Sequence, residues 1–400
     1  MDWAYLDNNA TTRPLPEVAD AVDHATRELW ANPSSVHRLG QQVRQRVELA
    51  RQSVARLINA KPNELVFTSG GTEADNLALF GCSAELDHLT LITTKVEHAA
   101  VREPAERLAK RGGDVVYADV DREGRVKIDS LKQLLAEHAT PGRTTLVSVQ
   151  WANNETGVIQ PVDDIVEAVR TAREDAAERG NRLKLLLHLD ATQAVGKLAV
   201  DVGSAGCDML TLAGHKFHGP KGVGALWVRR GVRLQPTQLG GAQERERRGG
   251  TESTPAIIGM GVAAELAKAF VNDPSAIDRV RALRDQLEQG VCQALPGTVI
   301  NSGGAQRLWN TTNLGFPGIE AEAVLLGLSE KGVCASAGAA CSSGSLDPSP
   351  VLLAMGIPEP IAHGSVRFSL SRMTTRVEID RALEVVPKVV VRLMKTLPTG

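Results

Sequence analysis

The stretch Leu185–Asp190, with the sequence LLLHLD, decides the fold. A near-continuous apolar run of this length predicts a strand that is buried on both faces, as in a parallel sheet. An acidic side chain at the end of such a strand is costly to bury unless it meets a cationic partner. Ligands of open α/β sheets bind where the strands end. We therefore expect Asp190 to hold a positively charged group of a ligand.

A second short strand, Asp208–Ala213, leads to Lys216. Pyridoxal 5′-phosphate needs this pair of side chains: a lysine that binds the cofactor covalently, and a carboxylate that keeps its ring nitrogen protonated as an electron sink. The alternative for the two residues alone is a helix cap at Asp190 and a surface charge at Lys216. The other motifs of the chain favour the cofactor.

The composition argues against several classes of protein. The chain has 400 residues, enough for two domains, and its 42% hydrophobic content is typical of a soluble globular protein. A formal net charge of −2 gives no reason to expect nucleic acid or a membrane as a partner. The N-terminus does not resemble a signal peptide, and no uninterrupted apolar run is long enough to span a membrane. The cysteines show no Cys-x-x-Cys spacing, so we expect reduced thiols in a cytoplasm and no metal site.

Short apolar runs alternate with helical stretches through the first part of the chain, which predicts an α/β fold with a mostly parallel sheet covered by helices on both faces. The expected strands are Leu65–Phe67, Leu89–Thr93, Val115–Ala118, Leu146–Val149, Leu185–Leu189, Asp208–Leu212 and Gly224–Val228. Before them we expect a long helix that is capped by Ser35 and reaches Ile58. We predict a large domain at residues 13–260 and a smaller α+β domain formed by residues 1–12 and 261–400.

Two further motifs follow the ends of expected strands. Glycine at a helix start, as at Gly71, lets the backbone approach a phosphate, and Thr72 adds a hydroxyl. A glycine turn with a threonine is also common without any ligand. His98 follows the strand Leu89–Thr93, where an aromatic ring can stack on a flat cofactor and move protons. The alternative for His98 is a hydrogen bond to a nearby carbonyl.

Polar residues elsewhere could bind a substrate. Asn154 and Gln193 are either plain turn residues or donors to a ring hydroxyl or a carboxylate. Arg367 alternates with Val366 and Phe368, so a strand would place it on the face opposite the core. If it faces a cleft, its guanidinium could hold a carboxylate through two parallel hydrogen bonds. If it faces water, it is an ordinary surface arginine.

Cys341 is unlike the other cysteines. It stands in the segment Ala335–Ser345, which otherwise contains only Gly, Ala and Ser. Because a free cysteine is usually buried, a cysteine in a loop of small residues predicts a reactive thiol. We expect structural roles for the cysteines that lie beside or within apolar stretches, namely Cys82, Cys207, Cys292 and Cys334.

Together these stretches resemble the cysteine desulfurases, which are pyridoxal-phosphate enzymes of the class-V aminotransferase family with fold type I, and most closely their NifS-type branch. The resemblance extends nearly from end to end, through the motifs Tyr5–Thr12, Asn32–His37, Thr68–Asn76, Val96–Val101, Trp151–Gly157, Asp190–Gln193, Gly214–Lys216, Arg248–Glu252, Cys341–Pro348 and Arg367–Arg372. So many motifs in one order are far more specific than any single one.

The resemblance implies a role for each matching residue. Lys216 would bind the cofactor covalently, Asp190 would contact its ring nitrogen, and Gln193 its ring hydroxyl. His98 would stack on the ring, and Cys341 would be the nucleophile. The implied ligands of the cofactor phosphate are Gly71, Thr72 and His215, and those of the substrate carboxylate are Asn154 and Arg367.

The implied activity converts L-cysteine to L-alanine and leaves a persulfide on Cys341. The sulfur would pass to an iron–sulfur scaffold or carrier protein, with nitrogenase assembly as one candidate destination, and Cys341 could transiently ligate a cluster. A threonine at the position of Thr251 reaches the phosphate of the other subunit's cofactor in this family, which implies a homodimer. The chain departs from its relatives at Ala213 and Ala339, where serine is usual.

Two other classes of function stay open at this point. One is a selenocysteine lyase or another class-V pyridoxal-phosphate enzyme, in which the protein thiol could be dispensable. The other is a sulfur carrier or cluster scaffold without enzymatic activity. The presence of both Lys216 and Asp190 argues against the second class, since a carrier needs neither.

Overall fold

The computed structural model describes residues 3–83, 85–338 and 347–396. Its strands are β1 (Ala4–Tyr5), β2 (Leu65–Thr68), β3 (Leu89–Thr94), β4 (Asp114–Ala118), β5 (Thr144–Gln150), β6 (Lys184–Asp190), β7 (Met209–Ala213), β8 (Gly224–Val228), β9 (Val299–Ile300), β10 (Thr311–Gly315), β11 (Val333–Cys334) and β12 (Ser365–Ser369). The strands expected between residues 65 and 228 all form, each within two residues of its predicted limits.

The helices frame these strands. They are α1 (Pro16–Glu28), α2 (Arg38–Leu57), α3 (Gly71–Gly81), α4 (Ala99–Ala109), α5 (Ile128–His138), α6 (Val162–Glu178), α7 (Thr254–Val271), α8 (Pro274–Ala294), α9 (Ala321–Glu330), α10 (Pro350–Ala354), α11 (Glu359–His363) and α12 (Arg376–Thr396). The predicted cap of α2 was wrong: His37 occupies that position, and its Nδ1 accepts a hydrogen bond from Gly40 N at 3.2 Å. Ser35 lies two residues too early, because the chain turns once more at Asn32–Ser35 before the helix begins.

One seven-stranded sheet forms the centre of the larger part, in the order β2-β8-β7-β6-β5-β3-β4. All neighbours are parallel except β8, which runs antiparallel to β2 and β7. Successive side chains along a strand point to opposite faces, so Leu146 packs with α3 and α4 while Val147 packs with the helices of the other face. Both faces are therefore covered, as the apolar run at Leu185–Asp190 predicts.

A second hydrophobic core lies in the C-terminal part. It contains side chains of α8, α9 and α12 and of β10 and β12, and the N-terminal residues Ala4 and Leu6 join it. Strand β1 enters this core by pairing in parallel with β11, and β10 pairs antiparallel with β9 and β12. The N-terminal residues thus pack with the C-terminal part of the chain; the domain limits at residues 12 and 260 stay a prediction.

Helix α7 is the one helix among the described residues that is long and apolar enough to cross a membrane by length and composition. It packs against α1 and α2, and Met260, Ala263 and Ala264 on it are buried in the larger core. Its apolar character is therefore explained by burial in protein.

Candidate active site

The carboxyl ends of the central parallel strands open into a cavity of about 390 Å³. A cavity of this size at the ends of parallel strands is suited to a small ligand or cofactor. Most of the residues predicted from the sequence line it, namely Gly71, Thr72, His98, Asn154, Asp190, Gln193, His215, Lys216 and Arg367. Residues that are far apart in the chain thus meet in one place, because β3, β5, β6 and β7 end side by side.

Lys216 enters the cavity from the turn Gly214–Lys216 directly after β7. Its Nζ donates hydrogen bonds to the backbone oxygens of Asn9 at 2.6 Å and Ala10 at 2.9 Å. The two acceptors are neutral carbonyls of the N-terminal segment. The amine is thereby held in place by the backbone at the cavity wall.

Asp190 ends β6 and is 5% exposed. Its Oδ1 accepts a hydrogen bond from Thr192 N at 2.9 Å, which fixes the carboxylate in the cavity wall. Three further carboxyl groups, those of Asp75, Glu97 and Glu155, line the same cavity and are almost fully buried. Burial, reinforced by the charge of Asp190, raises the pKa of Asp75 well above its usual range and that of Glu97 to about 8. A pKa of about 8 leaves Glu97 largely protonated at neutral pH, so burial reduces the negative charge that these carboxyl groups bring to the cavity.

The two cavity histidines are neutral at neutral pH. Burial lowers the pKa of His98, and burial together with the charge of Lys216 lowers the pKa of His215 to about 4. His98 caps α4, and its Nδ1 accepts from Ala100 N at 3.1 Å, which places the proton of the neutral ring on Nε2. His215 Nδ1 lies 3.2 Å from Thr11 Oγ1. His98 is thus poised to exchange a proton through Nε2.

The N-terminus of α3 forms one end of the cavity and is suited to an anion. Gly71 begins this helix, and Thr72 follows it with its side chain near the free backbone N–H groups of the first turn. A Cβ at Gly71 would lie 3.1 Å from Thr192 Oγ1 and 3.5 Å from Ala213 Cβ, so a larger residue would crowd the Thr192 hydroxyl at this end of the cavity. Thr192 Oγ1 is itself buried, with no hydrogen-bond partner in the part of the chain that the structure describes.

Arg367 lies at the other side of the cavity and is 1% exposed. Its Nη2 contacts Asp7 Oδ1 at 2.6 Å, and its Nη1 donates to the backbone oxygen of Asn154 at 2.9 Å. Its Nε is buried and has no hydrogen-bond partner among the described residues. The sequence left a cleft and water as alternatives for Arg367, and the structure places it in the cleft. A buried guanidinium with an open donor is suited to a carboxylate ligand.

Two predicted residues lie elsewhere. Thr251 is exposed and lines a separate cavity with Phe67 and Ser253, so it does not reach the cavity of its own chain. Its loop is fixed by Arg248, whose Nε contacts Glu73 Oε1 of α3 at 2.8 Å. Cys341 and Ala339 lie outside the described residues. Their predicted roles stay predictions.

The other cysteines have environments that suppress reactivity. Burial raises the pKa of Cys82 and of Cys207 to about 12, and it also raises the pKa of Cys292 and Cys334. Since the thiolate is the nucleophile, these four thiols react poorly at neutral pH. Their packing is consistent with the structural roles expected from the sequence.

Several residues of the cavity were missed by the sequence argument. Asn9 is the most connected of them: its backbone oxygen accepts from Lys216 and also from Gln193 Nε2 at 2.9 Å, and its Nδ2 donates to Thr311 Oγ1 at 2.9 Å. The motif Tyr5–Thr12 contained Asn9 but indicated no role for it. Arg102 and Glu97 also line the cavity. They lie near His98 in the sequence, which is the signal that could have drawn attention to them.

A mostly parallel α/β sheet with a lysine and a carboxylate at adjacent strand ends is typical of fold type I pyridoxal-phosphate enzymes, and within these the chain belongs to the class-V aminotransferases. The family model described as "Aminotransferase class-V" matches residues 4–382. Within this class the chain belongs to the cysteine desulfurases, as the resemblance seen in the sequence implied. It is 47% identical over 399 residues to "Cysteine desulfurase 2" of Trichormus variabilis, covering 100% of this chain and 96% of that protein. It is 44% identical over 400 residues to "Cysteine desulfurase NifS" of Azotobacter vinelandii, covering 100% and 95%.

Solved structures agree with these sequence relationships. A structure named "NIFS-LIKE PROTEIN" superposes with a TM-score of 0.87 at 34% identity, covering 98% of this chain and 100% of that one. A second, "SspA in complex with cysteine", has a TM-score of 0.76 at 32% identity and covers 93% and 99%. The predicted fold class, a fold type I α/β protein, is thereby confirmed.

Proposed function

We propose that this cysteine desulfurase binds pyridoxal 5′-phosphate in the 390 Å³ cavity and releases sulfur from L-cysteine through Lys216, His98 and Cys341. The observation that carries the proposal is the meeting of Lys216 and Asp190 on neighbouring strand ends of one cavity, with Arg367 at its far side. A lysine, a buried negative charge and a carboxylate-binding arginine are the groups that an amino-acid-converting pyridoxal enzyme requires.

The residues present fit this cofactor. Asp190 offers a buried carboxylate to a protonated ring nitrogen, Gln193 offers an amide to the ring hydroxyl, and His98 lies in the wall where it can stack on a flat ring. The start of α3 at Gly71 and Thr72, together with His215, offers donors to a phosphate. The orphaned hydroxyl of Thr192 is a further donor at that end, where Ala213 supplies only a methyl group.

The chain's own residues then have separate roles in the proposed reaction. When bound, the cofactor supplies the sink for the electron pair that is left when the α-proton departs. Arg367 and Asn154 hold the α-carboxylate of L-cysteine, and the amine of Lys216 accepts the α-proton. The Cys341 thiolate attacks the substrate sulfur, so an S–S bond forms while the Cβ–S bond breaks with its electron pair left on carbon. Protonation of that carbon, with His98 as a proton donor, and return of the α-proton from Lys216 to Cα complete L-alanine and leave a persulfide on Cys341.

The partners are part of the proposal. We propose a homodimer in which Thr251 reaches the phosphate site of the other subunit, supported by the exposure of Thr251 and its distance from its own cavity. The sulfur acceptor is an iron–sulfur scaffold or carrier protein in the cytoplasm. The similarity to the NifS protein of Azotobacter vinelandii supports nitrogenase clusters as one destination.

The experiment has two arms. In the first, borohydride reduction of the purified yellow protein should attach the cofactor mass to Lys216 in a peptide map. A colourless protein that takes up no added pyridoxal phosphate would refute the proposal.

In the second arm, Cys341→Ser should abolish sulfur release from L-cysteine, because a hydroxyl near neutral pH is a far poorer nucleophile than a thiolate. The spectral change on adding L-cysteine should survive in this variant. The matched control is Cys334→Ser, which removes another thiol and should stay active. Full desulfurase activity in Cys341→Ser, or selenocysteine cleavage without that thiol as the main activity, would favour a selenocysteine lyase instead.

A further inference from the structure

Lys197 is a buried lysine next to the candidate active site. It is 4% exposed, and its Nζ contacts Gln193 Oε1 and lies 3.3 Å from Asn9 Oδ1. Among the described residues no carboxylate lies within ion-pair distance of it. Burial lowers the pKa of Lys197 well below its ordinary value, and the charges of Lys216 and Arg367 lower it further.

Such a lysine needs an explanation, because lysine is almost never fully buried without a partner. A methionine would fill similar space without an amine to desolvate. The amine is nevertheless retained, and both of its acceptors, Gln193 and Asn9, line the cavity. A buried amine of this kind, which is unfavourable for stability, is expected at positions where function requires it.

The hydrogen bonds of Gln193 define which way its amide points. The backbone oxygen of Asn9 can only accept, so the Gln193 atom at 2.9 Å from it is the nitrogen Nε2. Oε1 therefore faces Lys197, which donates to it whether the amine is charged or neutral. One N–H of Gln193 is used by Asn9, and the second is left for the cavity that Gln193 lines. Without Lys197 the oxygen would be buried without a donor, and the amide would be held in this orientation by Asn9 alone.

We propose that Lys197 is a positioning residue, which holds Gln193 so that it presents an N–H donor to the cavity. The site then favours a ring ligand that carries a deprotonated oxygen at this point, since an N–H donor stabilises an anionic acceptor and a carbonyl would repel it. The inference rests on the proposed binding of pyridoxal phosphate, whose ring oxygen is the acceptor. Lys197 does not touch the cofactor in this scheme; it acts through Gln193.

The test measures the apparent pKa of the pH-dependent visible absorption band of the cofactor-loaded protein. When the ring oxygen loses a hydrogen-bond donor, its deprotonated form is less stabilised and it holds its proton more tightly. The apparent pKa of the absorption band therefore rises. One hydrogen bond of about 1.4 kcal/mol corresponds to a rise of about one unit. We expect this rise in Lys197→Met and in Gln193→Ala, and no larger rise in the double variant, because both changes remove the same contact.

The controls separate positioning from structural support. Lys184→Met removes another lysine that donates to a neutral oxygen, that of Cys82 at 2.9 Å, and should leave the band unchanged. Thermal melting of Lys197→Met should show a single cooperative transition, so that the shifted band is measured on folded protein. Should Lys197→Met not fold, Lys197→Leu, which also lacks a donor, takes its place, and its shift must again vanish in the Gln193→Ala background.

Two results would overturn the inference. A wild-type band in the Lys197 variant would show that Gln193 needs no support. Additive shifts in the double variant would show that Lys197 acts by itself and not through Gln193. Failure of the wild type to bind the cofactor at all would instead refute the proposed function, so the two failures are distinguishable.

Discussion

Replacing Arg367 by lysine should remove the recognition of the substrate carboxylate. The guanidinium already contacts Asp7 and the backbone oxygen of Asn154, and its buried Nε has no hydrogen-bond partner among the described residues. A lysine at this position could keep the contact with Asp7, but it has no rigid fork with which to hold a carboxylate at the same time. The variant should therefore lose one hydrogen bond between charged groups.

The size of the loss follows from that one bond. Hydrogen bonds to charged groups contribute about 1.5–3 kcal/mol, which corresponds to binding that is weaker by a factor of roughly 10 to 150. Because Arg367 is 1% exposed, water cannot replace the missing donor easily. We expect the Kd of L-cysteine to rise by this factor in Arg367→Lys.

The assay compares L-cysteine with 2-aminoethanethiol, which has the same amine and thiol but no carboxylate. Both are titrated into the cofactor-loaded protein in a Cys341→Ser background, where turnover is blocked and the spectral change reports binding. The wild-type site should prefer L-cysteine, and Arg367→Lys should lose that preference while binding 2-aminoethanethiol as before. Arg102→Lys is the matched control, since Arg102 lines the same cavity. An unchanged preference in Arg367→Lys, or its loss in Arg102→Lys instead, would refute the assignment.

Two further predictions concern the dimer and the pH dependence of stability. If Thr251 acts across the interface, mixed dimers of one Lys216→Ala subunit and one Thr251→Ala subunit should be more active than either parent dimer. One active site of the mixed dimer then carries both substitutions, and the other carries neither. An absence of recovered activity in verified heterodimers would count against shared sites. For His188, burial lowers the pKa to about 4 from 6.5, so its contribution to stability is complete above pH 6.5 and is lost as pH falls towards 4. His188→Asn should abolish about 2 kcal/mol of the destabilisation between pH 7 and pH 5 in urea unfolding, and an unchanged pH dependence would contradict this.

The sequence predicted the central sheet well because its strands are buried on both faces. Such strands are nearly continuous apolar runs, and the polar residue that ends each run, such as Asp190, marks the edge where ligands bind. The alternation of Val366, Arg367 and Phe368 correctly predicted a strand with Arg367 on the face opposite the core. That face is nevertheless buried, and its burial depends on contacts of Arg367 with Asp7 and Asn154 that no local pattern reveals.

Contacts between distant residues could not be predicted in this way. The sequence indicated no role for Lys197, because its partner Asn9 lies 188 positions earlier in the chain. The start of α2 shows a second reason: Ser35 and His37 can both accept a backbone hydrogen bond, and the choice between them depends on how the preceding loop turns. Local patterns thus identify secondary-structure elements and strand ends, while the hydrogen bonds between distant elements are seen only in the folded chain.

Asn9 also sets an order for the biosynthesis of the site. It leaves the ribosome 302 residues before its partner Thr311 and 360 residues before its partner Ser369, each of which it contacts at 2.9 Å. Until they arrive, the carbonyl that accepts from Lys216 has no fixed position, even if the central sheet has already formed. A nascent chain that stops before residue 311 would therefore leave the backbone acceptors of Lys216 without a fixed position, and we expect cofactor uptake to begin only after Thr311 has been added.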